Sequence, residues 1–264
     1  MQIFKNEIWG SVKMPESFSE LLDCVLGTGD DVSYWRGQSN IAWKLDSSIA
    51  RKAIRNNEVF TLRQNNFSSI DFWEKCMIEK AKQSLYHYDI NGRQLGDIEL
   101  LAKLQHMGAS TRLLDFSKSI LIALWFCASE NQHETGLIIG IHTNIIAGQG
   151  ERYFEFTDSY DVFTKRINNS EDIWLVDAPP VVSRIAAQNS VFLCSKCINS
   201  DHGTFILPEE KYITKLAISP ELKKESLKML SAHFNITPYT IYPDVEGFAK
   251  ANSSEWRFSE FDRW

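Results

Sequence analysis

The chain of 264 residues is 44% hydrophobic and 23% charged with a net charge of -6, which supplies material for a real core and no global basic field for gripping nucleic acid, although a local basic groove stays compatible with those numbers. The longest apolar stretch, Ile120–Ala128, falls far short of the ~20 residues that span a bilayer, and the opening MQIFKNEIWGSVKMPES lacks the continuous apolar core of a signal peptide. Five cysteines, an odd number set mostly in apolar surroundings, fit reduced thiols and a cytoplasmic setting without membrane contact.

Nothing in the chain reads as a linker or repeat, so one domain over 1–264 is expected. Ile3, Phe4, Ile8 and Trp9 suggest a short strand or edge segment. Phe18, Leu21, Leu22, Val25 and Leu26 recur at helical spacing, with Pro15 suited to the first turn and Gly27 to the stop. Asp31–Arg36 reads as a strand running into Gly37. Helices are expected over roughly Phe67–His87 and Asp97–His106, the second with Asp97 as N-cap and Gly108 as breaker. Ser119–Glu130 is apolar on nearly every face, which predicts a buried helix. Strands are expected at Gly136–His142, Ile173–Val176, Ser190–Cys194 and Tyr212–Ile218, then a helix over Pro220–Phe234 and a last turn at Pro243-Asp244. Helices early and strands late give an α+β class, with helices packed around a mostly antiparallel sheet.

Two segments carry the candidate chemistry. In LAKLQHMGASTRLLDFSKSILIALWFCA, a helix end holding His106 leads through a glycine turn to Arg112, Asp115, Ser117, Lys118 and Ser119, which crowd against a segment with no reason to be wet. Each such group needs a partner, since an unsatisfied one costs about 1–3 kcal/mol. A ligand supplies some of those partners on one reading. On the other, Arg112 pairs with Asp115 while Ser117 or Ser119 caps the helix. In Tyr34-Trp35-Arg36-Gly37-Gln38, a strand ending in Arg-Gly presents a guanidinium fork suited to phosphate, with glycine admitting a ligand close to the backbone. The alternative is an interior arginine tied to a carboxylate, or a surface one.

Lesser features have plainer readings. Trp43, Tyr34 and Trp35 suit either stacking on a base or the core. Cys194-Ser195-Lys196-Cys197 lacks a second ligand pair and reads as a strand end, so no metal is expected. The five lysines of Lys211–Lys228 read as a solvated face, and the histidines other than His106 as surface residues.

YWRGQSNIAWKLDSSIAR, LAKLQHMGASTRLLDFSKSILIALWFCA, RIAAQNSVF and ITPYTIYPDVEGFAK, in that order, resemble successive blocks of the FRG-domain family, over roughly residues 30–250 with an N-terminal strand and helix extension at 1–29. Trp35 stands where the family's eponymous triplet has phenylalanine, followed by Arg36-Gly37. The resemblance implies an ADP-ribosyltransferase-like fold, in which a split sheet holds NAD as substrate in a cleft, and transfer of ADP-ribose to a macromolecule, protein or nucleic acid. It also implies a toxin or phage-defence role, with an antitoxin or regulator as a further partner. By the same likeness, Tyr34, Arg36, Gly37, Gln38, Thr111, Arg112, Ser117 and Arg184 bind the dinucleotide, while His106, Asp115 and Gln188 carry catalysis. Gln188 falls where the glutamate-dependent pattern has a carboxylate, so charge stabilisation passes to Asp115 and proton handling to His106. A nucleotide- or nucleic-acid-binding module without chemistry is the alternative, and a structural protein whose cleft residues are internal pairs is a third.

Overall fold

The computed structural model describes residues 1–27, 33–55, 68–146 and 158–252. Asp31, Val32 and Phe67, expected at the starts of a strand and a helix, lie outside the described residues.

Sequence periodicity explains most of the elements. The N-terminal apolar residues form a hairpin of β1 (Gln2–Asn6) and β2 (Gly10–Met14), antiparallel, with Asn6 Oδ1 accepting from the Ile8 and Trp9 amides in the turn. Helix α1 (Phe18–Leu26) is capped by Ser17 and stops at Gly27, so Pro15 precedes the cap and does not occupy the first turn. Strand β3 (Ser33–Gln38) is followed by α2 (Ser48–Arg55), which had no counterpart among the expected elements. Helix α3 (Ser68–Gln83) ends four residues before His87. Helix α4 (Asp97–His106) is capped at Gly96, not Asp97: Glu99 Oε2 accepts from the Gly96 amide at 3.0 Å, while Asp97 Oδ2 takes the Tyr160 amide at 2.9 Å. Strand β4 (Leu114–Ser117) leads through Ser119 into the buried α5 (Ile120–Ser129).

The second half continues with β5 (Gly136–His142), α6 (Tyr160–Asn168), β6 (Trp174–Val176), α7 (Ser183–Ala187) and β7 (Ser190–Cys194). It closes with β8 (Ile213–Ile218), α8 (Pro220–Phe234), α9 (Pro238–Ile241) and α10 (Val245–Ala251). Strands come from both halves of the chain, so the expected succession of helices then strands does not hold. Lys223 of α8, expected on a solvated face, is fully buried, with Nζ donating to the Ser39 and Asn131 carbonyls at 2.6 and 3.0 Å. His87 and His142 are buried as well.

The fold is α+β. The eight strands of the described residues form one open sheet in the order β1-β2-β8-β5-β3-β4-β7-β6, antiparallel throughout except between β2 and β8. Side chains alternate across it. Leu137, Ile139, Ile141, Val191 and Leu193 enter one core with Trp9, Val12 and Phe116. The other face carries two separate cores. Helices α1, α5 and α8 cover the β3-β5-β8 half through Trp35, Ile138 and Leu216. Helices α3, α4 and α6 cover the β6-β7 half through Trp174, Phe192 and Cys194. The halves meet where β3 joins β4 through a single residue pair, Trp35 with Ser117, and the strands part beyond it. The expected split is thus a narrow junction within one continuous sheet.

Gly37 marks that junction for a packing reason. A Cβ there would sit 1.8 Å from the Ala123 carbonyl oxygen and 2.7 Å from the Cys127 amide, so the close approach expected of a ligand is made by α5. Across β3, the Trp35 ring lies over Gly140, where a Cβ would come within 2.5 Å of it. The Arg-Gly pair therefore seats a buried helix on β3 and leaves the arginine at the edge of the opening.

Candidate functional site

A cleft of about 370 Å³ opens at the junction, within the size range of small-ligand pockets. Its floor is Trp35, Arg36 and Gly37 of β3 with Asp115, Phe116 and Ser117 of β4. The C-terminal end of α4, Gln105 to Gly108, forms one wall, and Ala123 and Phe126 of α5 form another. Arg184, Gln188, Ser190, Tyr242 and Glu246 close the remaining side.

Arg36 spans the gap. Where the ladder ends, its Nη1 donates to the Asp115 carbonyl at 2.7 Å, in place of the strand pairing lost there. Its Nε is buried without a partner among the described residues. Burial lowers the basicity of the guanidinium, the Asp115 carboxylate opposes that, and Arg51 adds to it. The group stays cationic regardless. The exposed Asp115 carboxylate is held at Oδ2 by Gln105 Nε2 at 2.9 Å. Gln105 in turn accepts from Thr111 Oγ1 at 2.7 Å, which fixes its amide and aims its NH₂ at the acid.

His106 packs edge-on against Phe192, with ring centroids 5.1 Å apart, and its Nε2 is also buried without a partner among the described residues. Burial pushes its pKa down, with Asp115 opposing and Arg184 reinforcing, so the imidazole is neutral at pH 7. A histidine depressed in the folded state binds fewer protons there than in the unfolded chain. Its contribution to stability is therefore complete above about pH 6.5, the unfolded imidazole value, and is lost as pH falls towards the folded pKa. Thermal melts across that window are expected to show the wild type losing stability on acidification more steeply than a His106→Asn variant. Parallel curves would contradict the buried, neutral ring.

Gln188 and Arg184 belong to α7, not to a strand. Arg184 lies within the helix and Gln188 caps its end, immediately before β7. The Gln188 amide donates to the Ile241 carbonyl at 3.0 Å, while Ser117 Oγ donates to the Gln188 carbonyl at 2.8 Å. These bonds tie α7 to α9 and β4. Arg184 donates to Asp244, and to Glu246 at 3.0 Å, and its guanidinium lies 5.2 Å from the Tyr242 ring centroid. It acts as a clasp holding α10 at the cleft mouth. Burial pushes the Tyr242 phenol up to about 12.

Four expected ligand-binding residues lie away from the cleft. Arg112 is buried in an ion-pair network with Glu74 at 2.5 Å, Asp71, and Tyr160 Oη at 2.9 Å; Asp115 is not its partner. Thr111 joins α2 to α4 through Ser48 and Gln105. Gln38 is buried and donates to the Trp43 carbonyl at 3.1 Å. Tyr34 packs half-buried in the core on the sheet's far face. Trp35 is buried as well, while Trp43 is exposed. The structure also adds Gln105, Tyr242 and Glu246 to the site. All three stand inside the blocks that carry the family resemblance, where a helix position beside His106, an aromatic before proline and an acid just after the last turn gave no separate signal.

Cys194 and Cys197 are free and buried, and burial pushes the Cys197 thiol up to about 12. Among the described residues no group of three or more His, Cys, Asp or Glu is placed to hold a metal ion, and no helix is long and apolar enough to cross a membrane.

The FRG domain family model matches residues 31–136, a stretch that contains β3 and ends at the first residue of β5. The chain carries an FRG domain over residues 31–136. The matched FRG region supplies the Arg36 floor, Asp115 and the His106 wall, whereas Arg184, Gln188 and Tyr242 come from chain beyond it. Comparison with curated proteins and with solved structures gives no match.

Proposed function

We propose that the FRG cleft binds NAD as a substrate and transfers its ADP-ribose to a macromolecular acceptor. The observation that carries this reading is the meeting of Arg36, His106, Asp115 and Gln188, from four separate stretches of chain, around one cleft. Arg36 keeps a donor at its edge that has no partner among the described residues. Of these groups, the internal bonds of the fold leave His106 Nε2 as well as Arg36 Nε without a partner among the described residues.

In the transfer, the bond from nicotinamide to the ribose C1′ breaks, positive charge develops on that carbon, and an acceptor nucleophile forms the new bond as it loses a proton. Arg36 supplies a planar, permanent charge for a phosphate. The Asp115 carboxylate, aimed by Gln105, stabilises developing positive charge. The neutral imidazole of His106 takes the acceptor's proton. Gln188 contributes position and no charge, since its amide is engaged with Ile241. That commitment favours a second reading, a module that binds nucleotide without turnover.

The two readings part on one assay. Purified protein incubated with NAD and cell extract is expected to release nicotinamide and label an acceptor, with Asp115→Asn slowing release by at least about tenfold. Saturable NAD binding without release would establish the module instead, and absence of both would remove the nucleotide reading.

A further inference from the structure

Helix α2 presents a basic face whose charges meet no acid in an ion pair among the described residues. Arg51, Lys52 and Arg55 are all exposed, while Ile49, Ala50 and Ala53 are buried against the body of the protein. Lys44, exposed on the segment leading into the helix, extends the same positive run. None of these four makes an ion pair among the described residues; Arg51 Nη1 donates only to the Asp46 carbonyl, at 2.6 Å. Asp46, the acid between Lys44 and the helix, has Oδ1 engaged by the Thr204 amide. In a chain of net charge -6, such a concentration is a local feature with a function to explain.

The strip is tied to the cleft. The Ile49 amide and Ser48 Oγ both donate to the Thr111 carbonyl, Thr111 Oγ1 bonds Gln105, and Gln105 holds Asp115. At the other end of the run, Trp43 is 47% exposed. Its backbone is pinned by Gln38 and Asn40, so the ring is displayed on a fixed segment.

We infer that Trp43, Lys44 and the Arg51, Lys52, Arg55 face of α2 form a docking strip for single-stranded nucleic acid leading to the cleft. Cations spaced along a surface follow a phosphate backbone, and a displayed indole stacks on an unpaired base. A duplex offers the charge but not the free base face, which is why the strand must be single. That this strand is also the acceptor rests on the transfer reading above; its binding does not.

The test is fluorescence anisotropy of the full chain with a labelled mixed-sequence single-stranded oligonucleotide, at several salt concentrations and without NAD. Wild type is expected to bind saturably and to weaken with salt. The R51A/K52A/R55A variant should lose at least about tenfold in affinity and reduce the slope of log K against log salt by about 2, the value for three phosphate contacts on a single strand. Trp43→Ala should lose at least about fivefold with its salt slope unchanged. Removing two lysines from an exposed face elsewhere, as K224A/K228A, should leave binding at the wild-type level. All the substituted side chains are exposed, and matching thermal melts check that each variant folds. No saturable binding by the wild type would overturn the inference, as would equal binding by the triple variant or equal affinity for the corresponding duplex. Strand binding by a protein that releases no nicotinamide leaves this surface standing and removes the transfer reading. Nicotinamide release without strand binding does the reverse.

Discussion

Replacing Arg112 by alanine is expected to destabilise the protein by about 3–5 kcal/mol, enough to lower the melting temperature by on the order of 10 °C in a chain of this size. The guanidinium is buried and bonded to Glu74, Asp71 and Tyr160, and the ring centroids of Tyr160 and Phe163 lie 5.7 and 6.0 Å from its central carbon. Burial alone works to lower its basicity, yet Glu74, Tyr160 and Asp71 outweigh that and raise it. Removing the arginine strands the Glu74 carboxylate, which has no exposed surface of its own, with no counter-charge. The loss therefore reflects an abandoned buried charge more than a forfeited attraction. An R112M/E74L double substitution, which leaves no unpaired charge at the centre, is expected to recover part of that stability. Denaturant or thermal unfolding of the two variants checks both statements, and an Arg112→Ala protein as stable as the wild type would show that the network does not brace α3 against α6.

The contrast between Arg112 and Arg36 explains how far the sequence could be read. Both arginines stand beside apolar runs and both were expected to hold a ligand. Which of them has a carboxylate partner depends on residues 38 and 41 positions upstream, Glu74 and Asp71 of α3, a tertiary fact that local pattern does not contain. Elements with a long apolar run and a defined stop were legible: Gly136–His142, Ser190–Cys194 and Pro220–Phe234 form with the expected limits. Each is bounded by glycine, serine or proline and exceeds the length at which burial competes with local propensity. The four-residue β4 was not legible, because Leu114–Ser117 is too short to show alternation and owes its extended form to pairing with β7. Helix α7, five residues long, is likewise set by the contacts of Gln188 and Ser117 at its end. Asp115 is legible because polar side chains beside a greasy helix demand partners, and His106 because it stands inside a block that resembles the family. Gln105, Tyr242 and Glu246 are not, since nothing about their neighbours in sequence distinguishes them.

Replacing Arg36 by alanine is expected to lower affinity for NAD by about 10²-fold while shifting the melting temperature by no more than about 2 °C. Its side-chain hydrogen bond among the described residues, Nη1 to the Asp115 carbonyl, is offset by the burial of an Nε that finds no partner among them, and the two effects are of similar size and opposite sign. The alanine variant exposes the same strand gap to water, which can satisfy the Asp115 carbonyl in the arginine's place. A ligand phosphate has no such substitute, because the lost group supplied both charge and a planar pair of donors at a fixed position. Arg36→Lys, which keeps the charge and loses the fork, is expected to fall between, at about a tenfold loss. Calorimetric titration of NAD beside thermal melts measures both quantities. A large drop in stability with unchanged affinity would make Arg36 a second Arg112, a strut across the strand gap, and would take the phosphate subsite out of the cleft.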